Sequence, residues 1–153
     1  MTIEQFPSAT DQLFATATDA RNEACLNYFP NGWAFYAMGY KDAADTVVAD
    51  FVKTTHRRNP LAYPIVFLYR QYLELTLKDL VQQAWRYFES IEEFPKTHRL
   101  DDLWHLLRRL VEEMGCSGGD EMQQIERLIG EFCAIDPSSQ AFRYPEDRQG
   151  NPS

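Results

Sequence analysis

Residues 64–81 read PIVFLYRQYLELTLKDLV, and this stretch decides the fold. At about 100° per residue on a helix, its apolar side chains point in nearly every direction. The gap in that apolar surface is a narrow ladder of Arg70, Glu74 and Lys78, which lie four residues apart and therefore stack along one stripe. A helix that is apolar almost all round is typical of the middle of a bundle. The pattern predicts a central helix with one charged stripe.

The charged ladder has two interpretations. It can face inward as a self-neutralising set of ion pairs against a neighbouring helix or the C-terminal tail; on an exposed surface such pairs contribute roughly 0.2–0.5 kcal/mol each. It can instead line a groove, where an arginine and a lysine beside a glutamate are suited to a phosphate. In the second case Arg70, Glu74 and Lys78 are ligand-binding residues.

Composition and charge limit the classes of function. The chain has 153 residues, enough for one domain with its own core. Hydrophobic residues make up 44% of it and aromatic residues 14%, a composition that excludes a disordered chain. The net charge is −8, and residues 101–153 supply most of it with eleven acidic residues against five arginines. An acidic protein lacks the general attraction to phosphates that drives non-specific nucleic-acid binding. Any nucleic-acid contact is therefore expected to be local; otherwise the acidity serves solubility alone.

Several motifs that the sequence lacks favour a cytoplasmic protein without a cofactor. The cysteines at 25, 116 and 133 form no C-x-x-C pair, which favours free thiols in a reducing compartment. The N-terminus does not resemble a signal peptide, and no apolar run is long enough for a membrane span, so no membrane partner is expected. The motifs of phosphate-binding loops, dinucleotide folds, serine hydrolases and zinc proteases are missing. We expect no cofactor and no metal.

The apolar periodicity predicts helices and no strand of any length. The predicted fold is all-α, an antiparallel bundle of four to five helices with an irregular C-terminal tail. Its domain organisation is a loose N-terminal helix and turn at 1–32, a helical bundle at 33–148 and a tail at 149–153. The predicted helices are Asp11–Asn27, Trp33–Lys53, Leu61 or Pro64 to Phe88, His98–Met114 and Asp120–Cys133.

Polar residues around two histidines form a second candidate site. If the helix begins at His98, then Asp102, His105 and Arg109 fall within about 40° of it on the polar face. Two histidines with an aspartate between them suit a metal or acid–base chemistry. No third or fourth metal ligand is evident, and a solvated helix face explains the pattern equally well.

The tail contains a third candidate, Phe142-Arg143-Tyr144. An arginine between two aromatics predicts that this part of the tail packs on the bundle, with Arg143 meeting an acid such as Glu74. Alternatively, Arg143 lines the groove with Arg70 and forms an anion site together with Tyr144.

Three segments of the chain, taken in their order along the sequence, resemble the HEPN superfamily of small helical bundles over roughly residues 33–148. The resemblance implies a bacterial homodimer that binds RNA or a nucleotide, often in a toxin–antitoxin or phage-defence system. It also implies a possible nucleotidyltransferase-like or other protein partner, because one branch of the family, whose helix opens with His-x-Leu, has such a partner and no nuclease activity. The pieces are Tyr69–Lys78, His98-x-Leu100-x-x-Leu103 and Arg143-Tyr144-Pro145.

The resemblance also implies catalytic residues. Catalytic members are metal-independent ribonucleases with an arginine, four to six residues, and then a histidine; Arg99 and His105 fit with five residues between them. In that case His105 is the acid or base and Arg99 binds the phosphate. Two features differ from the pattern. Leu100 follows the arginine where a polar residue is usual, and on a regular helix Arg99 and His105 diverge by about 120° unless Arg99 precedes the first turn.

Three functional hypotheses follow from the sequence. The first is a HEPN-like dimer that binds RNA or a nucleotide in a groove lined by Arg70, Lys78 and Arg143. The second is a metal-independent endoribonuclease that uses Arg99 and His105. The third is a protein-interaction module that docks onto a basic partner without nucleic acid. Its docking surface is the acidic last third of the chain, with Glu112, Glu113, Glu126 and Glu131.

Overall fold

The computed structural model describes residues 32–53, 58–90, 93–116, 118–137 and 142–143. These residues form four helices and no strand: α1 (Trp33–Lys53), α2 (Arg58–Tyr87), α3 (Leu100–Glu113) and α4 (Asp120–Ile135). The predicted all-α bundle with an irregular segment after its last helix is confirmed. The helix predicted at 11–27 lies outside the described residues.

The central position of α2 follows from its packing. Within the described part of the chain, α2 packs against α1 on one side and α3 on another, while α4 packs against α3. The core is formed by α2, α3 and one residue of α4; its fully or nearly fully buried members are Leu77, Val81, Ala84, Trp85, Leu100, Leu103, Trp104, Leu107, Leu110 and Ile129. The long apolar helix thus contributes to two interfaces, which explains why its sequence is apolar almost all round.

The start of α2 and the end of α4 differ from the predictions. Helix α2 begins at Arg58, so Pro64 lies inside the helix rather than in its first turn. A proline there removes one backbone donor and crowds the carbonyl four residues earlier, yet α2 continues through it to Tyr87. Helix α4 extends to Ile135, beyond the predicted Cys133, and ends just before Pro137, which cannot continue a helix.

The start of α3 corrects a prediction that matters for the site. Helix α3 begins at Leu100, and Arg99 is its extended N-cap residue (φ −82°, ψ 125°). The Thr97 hydroxyl accepts a hydrogen bond from the Arg99 backbone N–H at 3.1 Å and donates one to Asp102 at 2.9 Å. These bonds stabilise a non-helical connector, so the prediction that the helix starts at His98 is wrong.

The end of α3 depends on a glycine. Gly115 has a φ of 81°, a left-handed conformation in which a glycine has no steric penalty. Its N–H bonds the Glu112 carbonyl at 2.9 Å, and the Cys116 N–H bonds the Val111 carbonyl at 3.2 Å. This pair of bonds is a Schellman motif, and it confirms the prediction that Gly115 ends the helix.

None of the helices in the described ranges combines the length and apolarity that crossing a bilayer requires. All described residues belong to one unit, Asn31–Ser153. The predicted domain limits at residues 32 and 148 stay predictions.

We expect Leu103→Ala to lower the free energy of unfolding by about 2–5 kcal/mol, because the Leu103 side chain is 0% exposed in the core. Urea unfolding followed by circular dichroism measures the change. Leu80→Ala is the matched control, since Leu80 is 41% exposed on the neighbouring helix and loses little burial. Equal losses in both variants would contradict the position of this core.

Candidate functional site

The charged ladder of α2 lies inside the fold. The exposed fractions of Arg70, Glu74 and Lys78 are 1%, 1% and 5%. Charged side chains are almost never buried to this extent unless they are paired. Of the two interpretations of the ladder, the structure gives the inward-facing one.

A single carboxylate connects three partners in this network. Arg70 donates from Nη1 to the Glu74 Oε2 at 3.0 Å. Lys78 donates from Nζ to the other oxygen, Oε1, at 2.8 Å. The Nδ1 of His98 lies 2.8 Å from the same Oε1. Both carboxylate oxygens are therefore used, and Glu74 binds one histidine from outside its own helix.

Arg70 connects the network to two further segments. Its Nη2 donates to the backbone carbonyl of His98 at 2.8 Å, and its Nε forms an ion pair with Asp136 Oδ2 at 3.0 Å. Asp136 is 3% exposed and follows directly after α4. The guanidinium thus joins α2 to the connector before α3 and to the end of α4.

Sequence reasoning missed Asp136, which it assigned to the irregular tail. The signal that could have found it is charge balance: a buried ladder with two cations and one carboxylate needs a second anion. With Asp136, two cations face two carboxylates.

Glu74 remains ionised despite its burial. Burial alone would raise its pKa, but hydrogen bonds from Lys78 and His98, the charge of Lys78 and the hydrogen bond from Arg70 together hold the pKa below its ordinary value. An ionised carboxylate only accepts hydrogen bonds, so the Nδ1 of His98 is the nitrogen that carries a proton.

His98 joins the buried network to the surface. Its side chain is 70% exposed, although its Nδ1 lies on a carboxylate that is 1% exposed. The carboxylate fixes the orientation of the ring and leaves the rest of it in solvent. A histidine held in this way is suited to proton exchange or, in its charged form, to binding an anion such as a phosphate.

The predicted grouping of His98 with Asp102, His105 and Arg109 is not observed. His98 lies on the connector and faces Glu74, whereas Asp102 accepts a hydrogen bond from Thr97. His105 and Arg109 are exposed on α3. The helical-wheel argument failed because His98 is not helical. Across the described ranges, no group of three or more His, Cys, Asp and Glu side chains is placed to hold a metal ion.

Arg99 is paired with its own helix. It forms an ion pair with Asp101, with Nε donating to Oδ1 at 3.2 Å, and its Nε lies 3.5 Å from Asp102 Oδ2. The hydrogen bond from Arg99 lowers the pKa of Asp101, so this carboxyl stays charged. Because Arg99 is extended and precedes the first turn, the divergence of about 120° expected on a regular helix does not apply to Arg99 and His105.

The tail packs on the bundle through its aromatic residue. Phe142 packs against Phe132 of α4 with ring centroids 6.4 Å apart, and the guanidinium of Arg143 lies 5.8 Å from the Phe67 ring centroid. Glu74 bonds Arg70, Lys78 and His98, so Arg143 is not among its described partners. That Arg143 meets an acid such as Glu74 stays a prediction. Tyr144 lies outside the described residues.

Comparison with protein-family models, curated proteins and solved structures finds no match for this chain. The HEPN resemblance therefore stays a prediction. The three pieces of sequence that carry it converge on α2: Arg70 and Glu74 contact His98, and Arg143 lies on Phe67, one turn before Arg70.

We expect Glu74→Gln to lower the free energy of unfolding by about 3–5 kcal/mol at neutral pH, because it leaves Arg70 and Lys78 buried with one carboxylate between them. The folded pKa of Glu74 is lowered, so its ionisation stabilises the fold above the ordinary value of 4.5. That contribution is lost as the pH falls through the lower folded pKa. The difference between wild type and variant should therefore shrink in acid.

Urea unfolding at a series of pH values measures this difference. Glu112→Gln is the matched control, because Glu112 is an exposed glutamate of α3 that accepts a hydrogen bond from Arg108 at 3.1 Å. A control that loses as much stability as Glu74→Gln would show that the buried network is not the cause.

Proposed function

We propose that this protein is a HEPN-like helical bundle that binds RNA or a nucleotide through phosphate groups, with the exposed ring of His98 and the guanidinium of Arg143 as the contacting groups. The observation that carries the proposal is the contact between Glu74 and His98. A buried carboxylate orients a histidine whose side chain is 70% exposed, an arrangement suited to holding a surface ligand.

The buried cations position the site rather than contact the ligand. Arg70 and Lys78 already bind Glu74, and Arg70 also binds Asp136. A phosphate at either cation would have to break a buried ion pair, which costs several kcal/mol. The proposal therefore moves the phosphate contacts from the predicted groove to the surface above the network.

The two contacting groups, His98 and Arg143, both lie against α2. His98 is held at Glu74 and Arg143 lies over Phe67, and these two positions of α2 are about 10 Å apart at 1.5 Å per residue. A ligand that touches both groups offers negative charge at two points, as an RNA strand or a nucleotide with several phosphates does. The net charge of −8 agrees with such a local contact rather than a broad basic face.

We expect Arg143→Gln to weaken binding of a single-stranded RNA and to reduce the slope of log affinity against log salt by about 0.7, the contribution of one phosphate contact on a single strand. Fluorescence anisotropy of a labelled RNA at several salt concentrations measures both values. Arg143 is exposed, and a circular dichroism spectrum like that of the wild type checks that the variant is folded.

The matched control for this experiment is Arg127→Gln. Arg127 is an exposed arginine of α4 paired with Glu131, and its removal should leave RNA affinity unchanged. Absence of RNA binding by the wild type at low salt, or an equal effect of both variants, would contradict the proposal.

The second candidate function is a metal-independent ribonuclease with Arg99 and His105. The observation in its favour is the extended conformation of Arg99 before the first turn of α3. The divergence between Arg99 and His105 that a regular helix would impose therefore does not apply. In this structure the Arg99 guanidinium forms an ion pair with the Asp101 carboxylate, so catalysis requires that the substrate phosphate displace that carboxylate.

If the ribonuclease hypothesis holds, purified protein cleaves labelled tRNA and mRNA in EDTA, and His105→Ala loses about 10²–10⁴-fold of that rate with its general acid or base. Gel analysis of the products measures the cleavage. Arg127→Gln, at an exposed position of α4, is the control and should cleave normally. Cleavage that survives in His105→Ala would remove this hypothesis.

The homodimer, the nucleotidyltransferase-like partner, the setting in toxin–antitoxin or phage-defence systems and the acidic interaction module stay predictions from the sequence. Of the acidic residues named for that module, Glu112, Glu113 and Glu131 are exposed.

A further inference from the structure

A cleft between α1 and α2 lies beside the ion network. Its volume is about 280 Å³, just below the range of roughly 300–1,000 Å³ that is typical of small-molecule pockets. This size suits one ring system better than a whole drug-sized ligand. The described residues that line the cleft are Gly32, Trp33, Tyr36, Tyr40, Gln71 and Leu75.

Aromatic side chains form one wall of the cleft. Tyr36 and Tyr40 lie four residues apart on α1 and therefore on the same face. Trp33 is held in place by stacking on Phe94, with ring centroids 5.4 Å apart, and by the Lys78 ammonium 5.5 Å from its ring. Trp33 is thus held in place before any ligand arrives, and flat aromatic rings in the lining favour a flat ligand through stacking.

Gln71 supplies the polar edge of the cleft. Its side chain is half-buried, and its amide makes no hydrogen bond to any described residue. An amide presents an acceptor oxygen beside an NH2 donor. This pair matches a ring edge that carries a donor next to an acceptor, as the N6 and N7 positions of adenine do.

We propose that the cleft binds one unpaired purine base, with adenine as the preferred base. The ring packs against Tyr40, and the Gln71 amide hydrogen-bonds the N6 amine and N7. The inference rests on the proposed function only for the source of the base, which would be RNA or a nucleotide.

The test is a titration of the full-length protein with adenosine, followed by NMR of the tryptophan indole N–H groups. Adenosine carries the base without a phosphate, so it reports on the cleft alone. We expect the Trp33 resonance, assigned with Trp33→Phe, to move at up to millimolar adenosine while that of the buried Trp104 stays in place. A Trp33 resonance that does not move would overturn the proposal.

The role of Gln71 is tested with a variant and with an altered ligand. We expect Gln71→Leu to weaken adenosine binding about tenfold, the scale of one lost bidentate base contact. Gln83→Leu, at an exposed glutamine of the same helix, should bind normally. Purine riboside, which lacks the N6 amine, should bind wild type about tenfold more weakly than adenosine does. That comparison needs no variant, and equal affinity for the two nucleosides would overturn the proposal.

Failure of the base site and failure of the proposed function give different results. Arg143→Gln should weaken RNA binding and leave adenosine binding unchanged. RNA binding without adenosine binding overturns the base site alone. Adenosine binding without RNA binding supports the base site and overturns the phosphate-binding proposal.

Discussion

The buried carboxylate of Glu74 is the constraint on which the rest of the structure depends. Arg70 and Lys78 occupy the interior only because Glu74 faces both of them and Asp136 completes the charge balance. Replacing such a network with apolar residues is often neutral or even stabilising, so its main contribution is position rather than stability. Each cation contacts a different part of the chain: Lys78 lies over Trp33 of α1, and Arg70 bonds the connector before α3 and the end of α4.

Most of the fold was predictable because its signals are local. The predicted limits of α1 match the structure, and the end of α3 follows from Gly115, whose left-handed conformation needs only its own lack of a side chain. The start of α3 was not predictable. Leu100 and Leu103 continue a helical pattern back to His98, but the Arg70 guanidinium and the Thr97 hydroxyl hold the connector extended, and the first of these comes from another helix.

The candidate site was predictable only in part, for the same reason. Spacing by four residues identifies the ladder, whereas its pairing with Asp136 joins two segments far apart in sequence, which spacing within one helix does not encode. His98 was placed with His105 on one helix face because both were assumed helical; in the structure His98 belongs with Glu74. Gln71 was not predictable, since an amide that no described residue bonds has no signature in a sequence.

The bond from Arg70 to His98 ends on a backbone carbonyl, a group that every amino acid carries. The main chain therefore helps to set the path of the connector, while the side chain at position 98 bonds Glu74 and presents the rest of its ring to solvent. A different residue at position 98 would keep the backbone bond to Arg70 and lose the bond to Glu74, so the anchor of the connector is retained while the surface above the network changes.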